Sequence, residues 1–258
     1  MPDFCKVERE ERLWVVTIAR PEVMNSLHPP ANAELAEVFD DFAADDDAWV
    51  AIITGEGDRA FSAGNDLKYT AQGSGELAAT EMGFGGLTGR YDLWKPVIAA
   101  VNGVAMGGGF EIALACDLIV ASEQAVFALP EPRVGLAALA GGMQRLPRQI
   151  GMKQAMGMLL TGRRVPASEG QELGFVNEVV PHAELMAAAR RWAAEIIECA
   201  PLSVRATKQV ALQSQDYASL EEACSAHYSE VRTLLHSDDL REGPRAFAEK
   251  RQPVWKGR

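Results

Sequence analysis

The sequence predicts an α/β body followed by an all-helical C-terminal region, on three observations. Short, almost wholly apolar runs recur through the first half of the chain, as strands covered on both faces require. Helical spacing of apolar residues separates those runs, which points to crossover connections. After about residue 180 the strand-like runs stop, and four helical patterns follow one another between prolines.

The first run, 13–19 (LWVVTIA), is rich in β-branched residues and ends at Arg20-Pro21. Residues 31–44 place Leu35, Val38, Phe39 and Phe42 on one helical face and acids on the other. Residues 49–54 (WVAIIT), 97–101 and 118–121 read as further buried strands. Segments 72–75 and 83–86 are glycine-rich and are expected to be flexible loops flanking a short helix. Near the C-terminus, 182–199, 202–213, 220–235 and 240–250 have helical spacing, with Pro181, Pro201 and Pro244 as punctuation.

The chain has 258 residues and a formal net charge of −11. Ten of its 36 acids, and none of its 25 basic residues, lie between Pro21 and Asp58. The other 220 residues, with 25 basic and 26 acidic groups, are nearly neutral. The acidity is therefore one local patch, mostly the solvated side of the 31–44 helix. Nucleic-acid binding, which needs a basic face, is not expected. The N-terminal segment lacks the pattern of a signal peptide, and no run of 18 apolar residues suggests a membrane span. Four scattered cysteines and four scattered histidines form no ligand cluster, so no metal site is expected. Reduced, mostly buried thiols in a cytoplasmic protein are the natural reading.

Three segments carry candidate chemistry. Gly55-Glu56-Gly57-Asp58-Arg59-Ala60 matches a degenerate dinucleotide pattern. A helix must open there for that chemistry, and none is indicated before Asn65; Glu56 and Asp58 would also repel phosphate. An ordinary acidic turn is the better reading. In the second segment a strand runs into Gly107-Gly108-Gly109, and a helix begins near Phe110. Glycines at a helix N-terminus let backbone amides approach a carbonyl closely, as an oxyanion site needs. Glu111 then interrupts an apolar face, either as a cap or as an acid/base group. The third segment sets Glu131 between Pro130 and Pro132, which exclude helix on both sides. Two carboxylates 20 residues apart across one short strand could hold one water. The alternative is that Glu131 pairs with Arg133 or Arg145.

These landmarks, with Arg20-Pro21, Asn25-Ser26-Leu27, 61–68 (FSAGNDLK), 95–103, 127–131 and Gly141-Gly142…Gln144-Arg145-Leu146, resemble the crotonase (enoyl-CoA hydratase/isomerase) family over essentially the whole chain. Two features, 85–88 with Lys95-Pro96 and the tail 236–258, are similar to its carnitinyl-CoA dehydratase (crotonobetainyl-CoA hydratase) branch. The resemblance implies a ClpP-like ββα-spiral core over 1–195 and a helical trimerisation region over 196–258, assembled as a homotrimer or a dimer of trimers. It implies reversible hydration of a trans-2-enoyl-CoA by Glu111 and Glu131, with the amides of Asn65 and Gly108 as oxyanion hole. Coenzyme A would enter as part of the thioester, with no prosthetic group, along Asn65, Asp66, Leu67 and Lys68, its adenine near Val23 and Met24. If the closer likeness holds, a trimethylammonium group would meet Tyr69, Phe84, Tyr91 or Trp94. Double-bond isomerisation and non-catalytic acyl-CoA binding are the competing expectations; keeping both glutamates favours hydration.

Overall fold

The computed structural model describes residues 3–72 and 80–258. Among the described residues ten strands form in chain order: β1 Cys5–Glu10, β2 Leu13–Ile18, β3 Val50–Gly55, β4 Ala60–Ser62, β5 Val97–Val101, β6 Val104–Met106, β7 Leu118–Ser122, β8 Val126–Ala128, β9 Val165–Pro166 and β10 Glu178–Val180. They build a six-stranded sheet, ordered β1-β2-β3-β5-β7-β10, and a four-stranded sheet, ordered β4-β6-β8-β9. Pairing is parallel except between β1 and β2 and between β8 and β9. From β3 to β8 the chain places successive strands alternately in the two sheets, and each pair advances one position in both.

The helices are α1 Pro29–Ala44, α2 Leu67–Gln72, α3 Gly108–Ala115, α4 Gly142–Gln149, α5 Met152–Thr161, α6 Ala167–Leu173, α7 Leu185–Ile197, α8 Pro201–Gln213, α9 Leu220–Ser225, α10 Ser229–Leu235 and α11 Asp239–Glu249. Strands β2, β3 and β5 read as unbroken apolar runs because both faces are covered. Trp14, Val16 and Ile53 face the main core with Phe39 and Phe110, while Leu13, Val15, Ile52 and Ile98 face Ala188, Ala189 and Ala193 of α7. The expected boundary between residues 195 and 196 falls in the last turn of α7.

Several elements differ from expectation for identifiable reasons. Residues 84–86 are not a flexible loop but a buried 3-10 turn, whose Gly86 lies where a Cβ would come within 2.6 Å of the Ala36 backbone. Of the 72–75 segment, Gln72 ends α2 and 73–75 lie outside the described residues. The 220–235 pattern is two helices, because Ala226 and Tyr228 are extended. Pro244 lies inside α11 rather than at a boundary. The residues after Pro130 form a 3-10 turn, Glu131–Val134, with Pro132 in its first turn. All four cysteines are free; Cys5 and Cys116 are buried, but Cys199 and Cys224 are exposed. Among the described residues, no helix is long and apolar enough to cross a membrane.

Candidate active site

Three neighbouring strands of the four-stranded sheet end at one edge and deliver the site. Chain leaving β4 runs through Gly64 to Asn65, chain leaving β6 runs through Gly107 into α3, and chain leaving β8 runs through Pro130 to Glu131. The β6–β8 ladder (Val104↔Val126 to Met106↔Ala128) is extended by Gly107 N–H donating to Ala128 O at 2.9 Å. That register sets the two glutamate-bearing segments side by side. Ligands collect at such C-terminal strand edges because the connections diverge there and leave a crevice.

Glycine decides the close approaches. Gly64 has φ 84°, and a Cβ there would stand 2.8 Å from Gly108 N, so the Asn65 loop lies against the start of α3. A parallel bridge between Leu27 and Asn65 fixes that loop, Leu27 N–H donating to Gly64 O and Asp66 N–H to Leu27 O. Gly108 opens α3, and the amides of a first turn have no intrahelical acceptor. The Phe84 ring covers Gly108 so closely that a Cβ would meet it at 2.5 Å.

A cleft of about 1120 Å³ is lined by Asn65, Phe84, Gly108, Glu111 and Glu131, and also by Tyr91, Trp94, Leu136, Leu139 and Arg145. Glu111 is 3% exposed. Burial pushes its carboxyl up to about 7; the Gly142 N–H that it accepts at 2.9 Å opposes the rise, and the Glu131 charge adds to it. Glu131 is also raised, by burial, and its buried Oε2 has no hydrogen-bond partner among the described residues. Its Oε1 lies 3.1 Å from where a Gly107 Cβ would stand, so that glycine clears the space for it. Among the described residues neither arginine considered as its partner pairs with it: Arg133 donates to Thr161 O, and Arg145 to Thr88 O and Ala140 O.

The structure thus brings Asn65, Gly108, Glu111 and Glu131 together. It places Asp66, Leu67, Lys68, Val23 and Met24 outside the cleft lining. Asp66 is engaged by Arg20 at 3.2 Å and accepts the Tyr69 N–H; Leu67 and Lys68 are exposed on α2. Of the four aromatics, Phe84, Tyr91 and Trp94 line the cleft, whereas Tyr69 packs on His28. The sequence reading placed Gly107 in the oxyanion segment but missed that it makes room for Glu131, and it missed Gly142 as part of the site. Only the fold shows that each faces a carboxylate.

The family profile described as enoyl-CoA hydratase/isomerase matches residues 8–258. The chain belongs to the enoyl-CoA hydratase/isomerase family. Among similar proteins, the carnitinyl-CoA dehydratases of Citrobacter koseri and Salmonella heidelberg are 45% and 43% identical, each match covering 100% of both chains. The crystal structure of enoyl-CoA hydratase from Mycobacterium tuberculosis H37Rv superposes with a TM-score of 0.93 at 38% identity, covering 100% of both chains. That from Bacillus anthracis gives 0.89 at 32% identity, covering 99% of this chain and 100% of the other. The alternation of strands between two sheets is accordingly the enoyl-CoA hydratase/isomerase fold.

Proposed function

We propose that this chain is a hydro-lyase that adds water reversibly and syn to a trans-2-enoyl-CoA thioester. The observation that carries the reading is that Glu111, buried, and Glu131, half-buried, both raised, open onto one cleft beside the first-turn amide of Gly108 and the Asn65 segment. In the proposed step the thioester oxygen accepts from the amides of Asn65 and Gly108, each donor contributing roughly 3 kcal/mol as enolate charge develops. Water attacks C3 while the Glu111 carboxylate takes its proton, and the Glu131 carboxyl gives a proton to C2. Glu111 is assigned the base because Gly142 N–H supports its anion. Glu131, whose buried Oε2 has no such donor, is assigned the acid. The two groups end with exchanged protonation, and proton transfer restores them. Coenzyme A is proposed to lie over the Asn65–Asp66–Leu67–Lys68 segment, its adenine towards Val23 and Met24.

E111Q and E131Q are each expected to lower kcat with crotonyl-CoA by about 10²–10⁴. Near-normal turnover in both variants would falsify the mechanism. Identity of 43–45% to proteins named carnitinyl-CoA dehydratase favours a second reading, in which the same chemistry acts on an acyl chain bearing trimethylammonium. Tyr91 and Trp94 are then the aromatic faces that would receive it. Comparing kcat/KM for crotonyl-CoA and crotonobetainyl-CoA decides between them: a preference for the cationic acyl group supports the second reading, and a strong preference for the uncharged one removes it. The exposed Phe247, Leu235 and Leu240 support assigning 196–258 to oligomerisation, as a homotrimer or dimer of trimers. A cytoplasmic location belongs to the same proposal.

A further inference from the structure

Arg145 reaches the cleft from α4 and joins two segments that the proposed mechanism uses. Its guanidinium donates to Thr88 O at 2.8 Å and to Ala140 O at 3.3 Å, and its Cζ lies 5.7 Å from the centre of the Tyr91 ring. Thr88 belongs to the turn that seats Phe84 over Gly108, for its Oγ1 accepts the Phe84 N–H at 2.7 Å. Ala140 precedes Gly141 and Gly142; the Gly142 N–H donates to Glu111, and the Ala140 backbone also hydrogen-bonds that carboxyl. Gly141 has φ 100°, and a Cβ there would stand 2.1 Å from Arg145 Nη1. The glycine pair therefore serves both groups: Gly141 lets the guanidinium fold back over the helix start, and Gly142 supplies the amide.

We infer that Arg145 is a positioning residue for the hydration step: it clamps the 84–88 turn to the 140–142 segment and so aims the Gly142 N–H at the Glu111 carboxyl. This rests on the hydratase reading. The charges that bear on Glu111 are few. Glu131 opposes its ionisation, and Arg145 favours it. Arg148, also on α4, donates to Gln144 O, and Arg90, beyond the 84–86 turn, is paired with Asp40. Lysine would keep a charge at position 145 but cannot form the same planar fork to two carbonyls. Methionine keeps comparable length without charge or donor.

R145M and R145K test this with two readouts. One is the acid limb of the kcat–pH profile with crotonyl-CoA. The other, independent of turnover, is the midpoint of Glu111 titration in the folded protein, read as the pH at which the growing stability advantage of E111Q over its parent, measured in each background, levels off. R145M is expected to move the limb and the midpoint upward by roughly one pH unit, with activity at pH 7 about fivefold lower and regained towards pH 9. R145K is expected to leave both within about 0.3 unit while lowering kcat several-fold. An unmoved midpoint in R145M, or R145K behaving as R145M does, overturns the inference. Should R145M fail to fold, R145K decides alone: parental kcat or a midpoint moved by a full unit overturns it. If the unmodified protein turns over no enoyl-CoA, the hydratase reading fails, while the stability midpoint still judges the effect of Arg145 on Glu111.

Discussion

Glu111 carries a cost to folding that its proposed role as base accounts for. Its carboxyl is raised from 4.5 to about 7, chiefly by burial. A raised acid holds its proton in the folded state over a range where the unfolded chain has released it. Folding is therefore penalised increasingly as pH rises from 4.5 through 7, and the penalty is complete above that. At pH 8 it amounts to ~3 kcal/mol, and below pH 4.5 it vanishes. E111Q keeps an acceptor for the Gly142 N–H and cannot ionise. The variant is expected to melt above the parent at pH 8, the difference shrinking to nothing near pH 4. Thermal or urea unfolding across that range checks it, and a pH-independent offset would contradict the titration. The sequence made Glu111 visible because a charge interrupted an apolar helix face. It did not reveal Gly142, because a backbone amide has no side-chain signature.

Among elements, legibility followed length and cover. Strands β2, β3, β5 and β7 were readable because each is a run of five or six residues buried on both faces. β1, Cys5–Glu10, was not, since as an edge strand of sequence CKVERE it shows mostly polar residues. β4, β6 and β8 have three residues each, too few to display a period, yet they are the strands that carry the site. Their placement comes from side chains such as Asn102, which is 4% exposed. Asn102 Nδ2 donates to Gly55 O, Gly57 O and Ala60 O at 2.9, 2.7 and 3.2 Å, and its Oδ1 accepts the Gly55 N–H at 3.2 Å. The glycine pattern at 55–60 is thus a turn knotted by Asn102 and by Asn25, and β4 follows it in place of a helix. N102A strands these groups and is expected to cost roughly 3–5 kcal/mol. Loss below 1 kcal/mol in urea unfolding would mean that the turn is held by something else.

At the scale of the molecule, the net charge of −11 is a matter of place. Of the ten acids between Pro21 and Asp58, none lines the main cleft, and several are tied elsewhere. Glu34 accepts the N–H groups of Asp3, Phe4 and Cys5 and so fastens the N-terminal segment to α1. Asp40 pairs with Arg90, Asp47 with Arg12 and Glu56 with Lys6. The cleft itself is lined by Arg90, Arg145, Arg148 and Lys208 as well as by its acids. An anionic thioester therefore approaches a mixed wall rather than the acidic face. Exposed charges beyond about 8 Å are largely screened at physiological salt, so the patch should govern solubility and leave substrate binding alone. Reversing Glu37 and Asp41 to lysine changes the net charge from −11 to −7 and, among the described residues, disturbs only the exposed Arg9–Asp41 pair, worth about 0–1 kcal/mol. KM for an acyl-CoA at 0.15 M salt is expected to stay within about twofold of the parent. A fall of tenfold would show that the acidic face repels the substrate on its way in, and the separation of patch from cleft would then have no functional meaning.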